Sequence, residues 1–329
     1  MLRLGLNPYG LTYHLGLQGM NTPRANPAGR GLEGFIAIAT ELGAEVIEIF
    51  DPWLRALDDD ALRRLRDRLE GLGMRPVVSA GLNMMGPMES AFRSANLLGA
   101  NVIRLGISPV LCGARSELGE KWGELVRAIR AALAEWGPKA EAEGRWLAIE
   151  NHQDFGSSEL AEFCEATRGV GITFDTGNSF PVLESPMDFT ARVAPHVRHL
   201  HLKDYRVQFT PQGYRLVRCA IGDGAVPFAT LIPALLAHNP DLNAVLEPGA
   251  LEARHVRFLE PQWWQGYAPK TGEEVARCLA AAQVNRLHED ADYRTPWEKG
   301  EDGALEDYEL NMIRRSAANV RALGLTGRA

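Results

Sequence analysis

Short apolar runs alternate with longer amphipathic stretches along the first 250 residues of the chain. The apolar runs are rich in Val, Ile and Leu, as buried strands are. They lie at 2–7, 45–50, 74–80, 101–107, 146–152, 171–176, 198–204 and 243–247. The stretches between them carry apolar residues at helical spacing. They predict helices at 32–42, 58–72, 88–98, 117–143, 158–167, 188–194 and 228–237.

This rhythm predicts an α/β fold, namely a (β/α)8 TIM barrel over residues 1–250. Eight strand–helix units follow one another without a change in composition, and no G-x-G-x-x-G turn follows a strand, which argues against an open dinucleotide-binding sheet. Residues 251–329 end in a helical pattern at 304–323. We expect a C-terminal extension packed on the barrel and not an independent domain, because about 80 residues with few apolar runs bury little surface alone.

Composition narrows the class of protein. The chain has 329 residues, is 46% hydrophobic, and carries 35 basic against 42 acidic side chains, for a net charge of −7. This is the composition of a folded globular protein, and its negative charge disfavours a nucleic-acid partner. No apolar run has the roughly 18–20 residues of a membrane span. The apolar segment at the N-terminus is too short for a signal peptide, because polar residues follow it closely. We therefore expect a cytoplasmic protein with no membrane partner.

Ionisable residues end four consecutive predicted strands. Alternate side chains of a barrel strand point inward, and active sites of such barrels lie at the carboxyl ends of the strands. In the strand at 146–152, Leu147 and Ile149 face outward, which turns Glu150 and His152 inward. The same alternation in the following strands turns inward Asp175, His201 and Glu247.

Three carboxylates at one rim would repel one another unless a cation joined them. With the imidazole of His201 they suit a divalent ion, and we expect one Mn²⁺, with Mg²⁺, Co²⁺ or Zn²⁺ left open. In the alternative interpretation, each residue is a polar strand end bonded to a neighbouring loop.

Several short motifs together resemble the xylose-isomerase-like TIM barrels, the sugar phosphate isomerase/epimerase superfamily, over about residues 2–250. They are I-E-N-H at 149–152, F-D-T-G-N at 174–178, H-L-H-L-K-D at 199–204, I-G-D-G at 221–224 and L-E-P-G at 246–249. The resemblance implies that Glu150, Asp175, His201 and Glu247 bind one metal ion, and that the two glutamates flank the substrate as catalytic acid and base.

The same resemblance implies a metal-dependent isomerase or epimerase of a small carbohydrate, a ketose or related polyol, working through an enediolate. Because that intermediate can also expel a leaving group, and a related enolate can form by loss of CO₂, a lyase is the alternative: a decarboxylase, dehydratase or 3-keto-glycoside eliminase. Relatives are often dimers or tetramers, so a homo-oligomer is expected. The DNA-repair branch of the superfamily is disfavoured by the acidic chain and by Asn178, where many relatives have histidine.

Six further residues are predicted to contact substrate: Glu48, Arg104, His152, Asn178, Lys203 and Arg206. The alternation of side chains along the strands also turns Glu48 and Arg104 into the barrel. In the alternative interpretation these two residues form an ion pair that fills the barrel interior. Lys203 is one of only five lysines in a chain that otherwise uses arginine, which indicates that a compact ammonium is needed near a developing oxyanion. A salt bridge to Asp204 or to a loop carboxylate is the alternative.

Overall fold

A computed structural model describes residues 1–82, 87–249 and 252–326. The strands in those ranges are β1 (Arg3–Leu6), β2 (Val46–Phe50), β3 (Arg75–Gly81), β4 (Val102–Gly106), β5 (Trp146–Glu150), β6 (Val170–Asp175), β7 (Val197–Leu202), β8 (Tyr205–Thr210), β9 (Gly213–Arg218), β10 (Asn243–Leu246) and β11 (Arg254–Val256). Eight of these described strands run parallel and close into a barrel in the order β1, β10, β7, β6, β5, β4, β3 and β2. The predicted TIM barrel is confirmed.

Helices separate the barrel strands and cover them. In the described ranges they are α1 (Gly31–Glu41), α2 (Asp51–Arg55), α3 (Asp59–Gly71), α4 (Met88–Leu98), α5 (Lys121–Ala142), α6 (Ser157–Ala166), α7 (Pro186–Val193), α8 (Phe228–His238), α9 (Gly272–Ala282), α10 (Pro296–Lys299) and α11 (Leu305–Ala322). Local signals set several boundaries: the Asp58 side chain, for example, accepts a 2.7 Å hydrogen bond from the Ala61 N–H and caps α3.

The interior of the barrel is filled by small apolar side chains below the carboxyl ends of the strands. A separate cluster buried there consists of Val46, Val77, Val102, Ala148 and Val245. Their neighbours along the strands, such as Leu147 and Ile149, pack outward in the core shared with the helices. The alternation used to place the inward-facing residues therefore holds in the structure.

A three-stranded sheet outside the barrel was not predicted. β8 and β9 form an antiparallel hairpin inserted between β7 and α8, and β11 pairs with β9 along its other edge. The predicted strand at 198–204 corresponds to β7, which ends at Leu202, and the strand that begins at Tyr205 directly after it was not predicted. Continuous β-prone sequence hides this break, because no glycine or proline separates the two strands.

The C-terminal segment lies against the N-terminal end of the chain. The backbone N–H of Leu2 donates to the Leu325 carbonyl at 2.9 Å. Glu309 of α11 accepts hydrogen bonds from the backbone N–H groups of Tyr13 and His14 at 2.8 and 2.9 Å. Trp263, farther upstream, is 3% exposed and donates to the Cys112 carbonyl. These contacts pack the C-terminal segment against the rest of the described chain.

Candidate metal centre

Four ionisable side chains meet at the carboxyl ends of adjacent barrel strands. Glu150 ends β5, Asp175 ends β6, His201 lies beside Asp175 in the β6–β7 register, and Glu247 follows β10. All four residues are buried, and one ligand atom from each lies within 4.8 Å of those of the other three. The structure thus brings together the four residues that parity singled out.

Each glutamate gives one oxygen to a cation and directs the other toward His201. Glu150 Oε2 accepts from Arg104 Nη2, and Glu247 Oε1 accepts from Lys203 Nζ at 2.7 Å. Among the residues that the structure describes, the remaining oxygens, Glu150 Oε1 and Glu247 Oε2, are buried and have no hydrogen-bond partner. They lie 3.3 and 2.7 Å from His201 Nδ1, which in that part of the chain also has no hydrogen-bond partner.

Three such atoms converging on one point call for an explanation, because buried polar atoms are almost always satisfied. Two carboxylate oxygens and an imidazole nitrogen are donors that divalent cations accept. The residues present therefore fit a metal ion.

Asp175 is held more firmly than the other three. Its Oδ1 accepts from the Gly177 N–H at 3.1 Å, and its Oδ2 accepts from Asn178 Nδ2 at 2.8 Å and from Lys203 Nζ. A carboxylate has about four lone-pair positions, so these bonds orient Asp175 and still leave it able to bind a cation. Asn178 therefore lies behind the carboxylate, where it positions Asp175.

The charges of the cluster keep the glutamates ionised. Burial alone would raise the pKa of Glu247, but the charges of Lys203 and His201 outweigh it and hold that pKa well below its usual range. Burial is likewise overcome at Glu150, whose pKa is lowered by Arg104 and His201. For His201, burial lowers the pKa, and the carboxylates of Glu48 and Glu247 more than reverse this.

Glu48 lies below the cluster, inside the barrel. Its Oε2 is 3.0 Å from His199 Nε2 and 2.6 Å from His201 Nε2, while its Oε1 accepts from Asn7 Nδ2 at 2.9 Å. A carboxylate on the far nitrogen of a histidine fixes the ring and increases its strength as a ligand. Glu48 thus turns His201 Nδ1 toward the two glutamates, a positioning role that parity alone did not reveal.

A pocket of about 250 Å³ opens beside the two glutamates. Its walls include three of the residues predicted to contact substrate, Arg104, His152 and Lys203. Burial lowers the pKa of His152 to about 4, aided by Lys203 and Arg104, so its ring is neutral at pH 7.

The structure does not bring Arg206 to this pocket. Arg206 donates from Nε to the Asn285 carbonyl at 3.0 Å and lines a separate cleft of about 700 Å³. Sequence reasoning did not find Tyr9, Arg218 and Arg254, which also line the pocket. Tyr9 could have been predicted, because it follows the first barrel strand. The two arginines lie on the three-stranded sheet, which was not predicted.

Fold and site define a TIM barrel with a cluster of carboxylates and histidine at the carboxyl ends of its strands. Residues 36–265, more than half of the chain, match the family model described as "Xylose isomerase-like TIM barrel". The chain therefore belongs to the xylose isomerase-like TIM barrel family, as the motifs indicated.

A curated relative and two solved structures show similarity of different extent. "Uncharacterized protein YihM" of Escherichia coli (strain K12) is 30% identical over 111 residues, which span 33% of this chain and only 34% of that protein. A D-psicose 3-epimerase crystallised in the presence of D-fructose has a TM-score of 0.54 at 16% identity, over 89% of this chain and 93% of that one. A xylose isomerase-like TIM barrel protein from Mycobacterium smegmatis in complex with magnesium has a TM-score of 0.50 at 17% identity, with the same coverages. At these identities the two structures share the fold with this chain.

Among the described residues, no helix has the length and apolar character needed to cross a membrane. The cysteines are free thiols: Cys112, Cys164, Cys219 and Cys278.

Proposed function

We propose that the protein is a divalent-metal-dependent sugar isomerase or epimerase that moves a proton on a ketose or related polyol. The observation that carries this proposal is the convergence of three buried donor atoms, Glu150 Oε1, Glu247 Oε2 and His201 Nδ1, beside a pocket, with none of them hydrogen-bonded to any further group of the described residues. Glu150, Asp175, His201 and Glu247 would hold the ion, which we expect to be Mn²⁺. When bound, it supplies positive charge to the carbonyl and hydroxyl oxygens of the substrate.

Glu150 and Glu247 have the properties of a catalytic acid–base pair. Each is anchored at one oxygen by a cation and directs its other oxygen toward the same point. Their lowered pKa values keep both ionised, as a base must be. One glutamate removes the proton next to the substrate carbonyl. If the other glutamate, after taking a proton from water, delivers it to the opposite face, the product is the epimer. If the first glutamate instead returns its proton to the neighbouring carbon, the product is the aldose–ketose isomer.

Arg104, Lys203 and His152 would bind the substrate from the walls of the pocket. The two cations lie within reach of oxygens that gain negative charge as the proton leaves, and such fixed charges stabilise that change. His152 is neutral at pH 7 and would exchange a hydrogen bond with a substrate hydroxyl. Glu48 and Asn178 act through His201 and Asp175, so we assign them positioning roles.

A metal-dependent lyase acting on a keto sugar or sugar acid is the second candidate. Arg104 and Lys203 both line the pocket, and cations there suit a substrate carboxylate as well as a developing oxyanion.

Incubation with ketoses in D₂O tests the proposal and separates the two candidates. The Mn²⁺-loaded protein is mixed with D-fructose, D-psicose or D-tagatose, and deuterium next to the carbonyl is followed by NMR. We expect incorporation into recovered substrate or product that stops with EDTA and returns with Mn²⁺. Release of CO₂ or water from a sugar acid, without incorporation into ketoses, would favour the lyase. Incorporation that EDTA leaves unchanged would contradict a metal-dependent reaction.

A further inference from the structure

The sheet outside the barrel brings two arginines to the pocket. Arg218 is the last residue of β9 and Arg254 is the first residue of β11. Because Arg254 lies opposite Leu216 in this antiparallel pair, it shares a face of the sheet with Leu216 and with Arg218, two residues farther along. Both arginines line the 250 Å³ pocket together with Glu150 and Glu247.

Neither arginine has an acidic partner in the described part of the chain. There, no carboxylate lies within 4.0 Å of either guanidinium, and Arg218 Nε and Arg254 Nε are buried without a hydrogen-bond partner. The other two cations of the pocket are engaged, Arg104 with Glu150 and Lys203 with Asp175 and Glu247. Like charges on one sheet face repel each other, and an anion bound between the two guanidiniums would remove that repulsion.

Two arginines of the neighbouring cleft, which Arg218 also lines, are paired with carboxylates. Arg315 Nε lies 2.8 Å from Asp223 Oδ2, and Arg294 Nε lies 2.9 Å from Asp292 Oδ1. Arg206 of that cleft donates to the Asn285 carbonyl instead, so an acidic partner is common but not general among these arginines.

The turn after β10 makes room for Arg218 next to the catalytic glutamate. Gly249 has φ +66°, and a Cβ on it would lie 2.2 Å from Arg218 Nη1. The glycine of the L-E-P-G motif therefore lets the guanidinium pass two residues from Glu247.

We propose that the pocket binds an anionic sugar, whose terminal carboxylate or phosphate is held by Arg218 and Arg254 while its carbonyl end faces Glu150 and Glu247. A guanidinium offers a planar fork of N–H donors that matches both anions. A volume of about 250 Å³ suits a single small sugar unit. The inference rests on the proposed function, because it assigns a substrate class to the same site.

Binding of unreactive sugar alcohols tests this assignment without turnover. Isothermal titration calorimetry of the Mn²⁺-loaded protein compares D-gluconate and D-glucitol 6-phosphate with neutral D-glucitol, none of which has a ketone or aldehyde group. We expect at least one anion to bind about tenfold or more tightly than D-glucitol, as expected for hydrogen bonds to charged groups. Which anion binds distinguishes a sugar acid from a sugar phosphate.

Single substitutions then locate the anion. Arg218→Gln and Arg254→Gln should each weaken binding of the preferred anion about tenfold and change D-glucitol affinity less than about twofold. Arg215→Gln is the matched control, because Arg215 lies on the same strand with its guanidinium 4.3 Å from the centre of the Tyr293 ring, outside the pocket. Retained Mn²⁺ binding shows that the variants are folded.

D-glucitol binding as tight as that of both anions, or anion affinity unchanged in both pocket variants, would overturn the inference. Anion preference that persists in a protein without metal-dependent deuterium exchange would support the inference while overturning the proposed function.

Discussion

Glu150 and Glu247 show how one residue type acquires a specific chemical role from its surroundings. Each would be a costly buried charge by itself, and each is made acceptable by a cation on one oxygen. Arg104 and Lys203 therefore both stabilise the glutamates and leave the opposite oxygens directed toward His201 Nδ1. The alternation of side chains along the sequence predicted which of them point inward. It did not predict that each glutamate would use one oxygen for a cation and direct the other toward the site.

Removing the charge of either glutamate tests their roles. Glu247→Gln and Glu150→Gln keep the shape of the side chain but cannot accept a proton, so we expect kcat to fall about 10²–10⁴-fold in each. Steady-state kinetics on the ketose found in the D₂O experiment gives the measurement. Glu289→Gln, an exposed substitution, is the control and should retain full activity. Activity in Glu247→Gln equal to that of the control would contradict the acid–base assignment.

At the scale of the element, Asp204 ties the inserted hairpin to the loop that precedes α8. Its Oδ1 accepts from the N–H groups of Tyr205 and Val226, and its Oδ2 from those of Gly222 and Gly224, at 2.9–3.0 Å. One buried carboxylate thus satisfies four backbone donors. The G-D-G motif at 222–224 is explained by this tight turn.

Truncating Asp204 should loosen that connection. Asp204→Ala leaves buried N–H groups unpaired, so we expect a loss of about 2–4 kcal/mol in the free energy of unfolding, measured by urea denaturation. Asp223→Ala in the same loop removes a partly exposed ion pair with Arg315 and one hydrogen bond from Asn319 Nδ2, and should cost about 1 kcal/mol. Equal losses in the two variants would show that the four hydrogen bonds of Asp204 are not what stabilises the loop.

At the scale of the whole molecule, closure of the barrel assembles the site. Glu150 and Glu247 are 97 residues apart in the chain, yet β5, β6, β7 and β10 are successive strands of the barrel. Binding of an ion to groups from four strands should therefore stabilise the closed barrel as a unit.

Thermal unfolding with and without Mn²⁺ tests this coupling. At a Mn²⁺ concentration about 100 times its Kd, linkage supplies about 2.7 kcal/mol, or a rise of about 4 °C in Tm for a chain of this length. Differential scanning calorimetry after EDTA treatment gives the baseline. Glu247→Gln should reduce the rise, while Glu289→Gln should not. An equal rise in both variants would place the ion elsewhere.

The barrel and its four rim residues were predictable because both follow from local periodicity. A buried strand must alternate, and a strand–helix rhythm repeated eight times has few ways to close. The positions of Glu48, Asn178 and Arg206 were not predictable to the same degree. The alternation of side chains predicts that Glu48 points inward. Its depth in the barrel decides whether it contacts His199 and His201 or substrate, and that depth depends on the stagger of the strands.

The inserted sheet marks where local sequence ceases to be informative. Arg218 and Arg254 are separated by 36 positions and have no motif of their own, and they become neighbours only because β9 pairs with β11. Hydrophobic alternation along the chain therefore determined the scaffold and the inward residues of each strand. Long-range strand pairing, together with the electrostatic need to balance buried charges, decided which side chains surround the pocket and which of their atoms stay unpaired in the described residues.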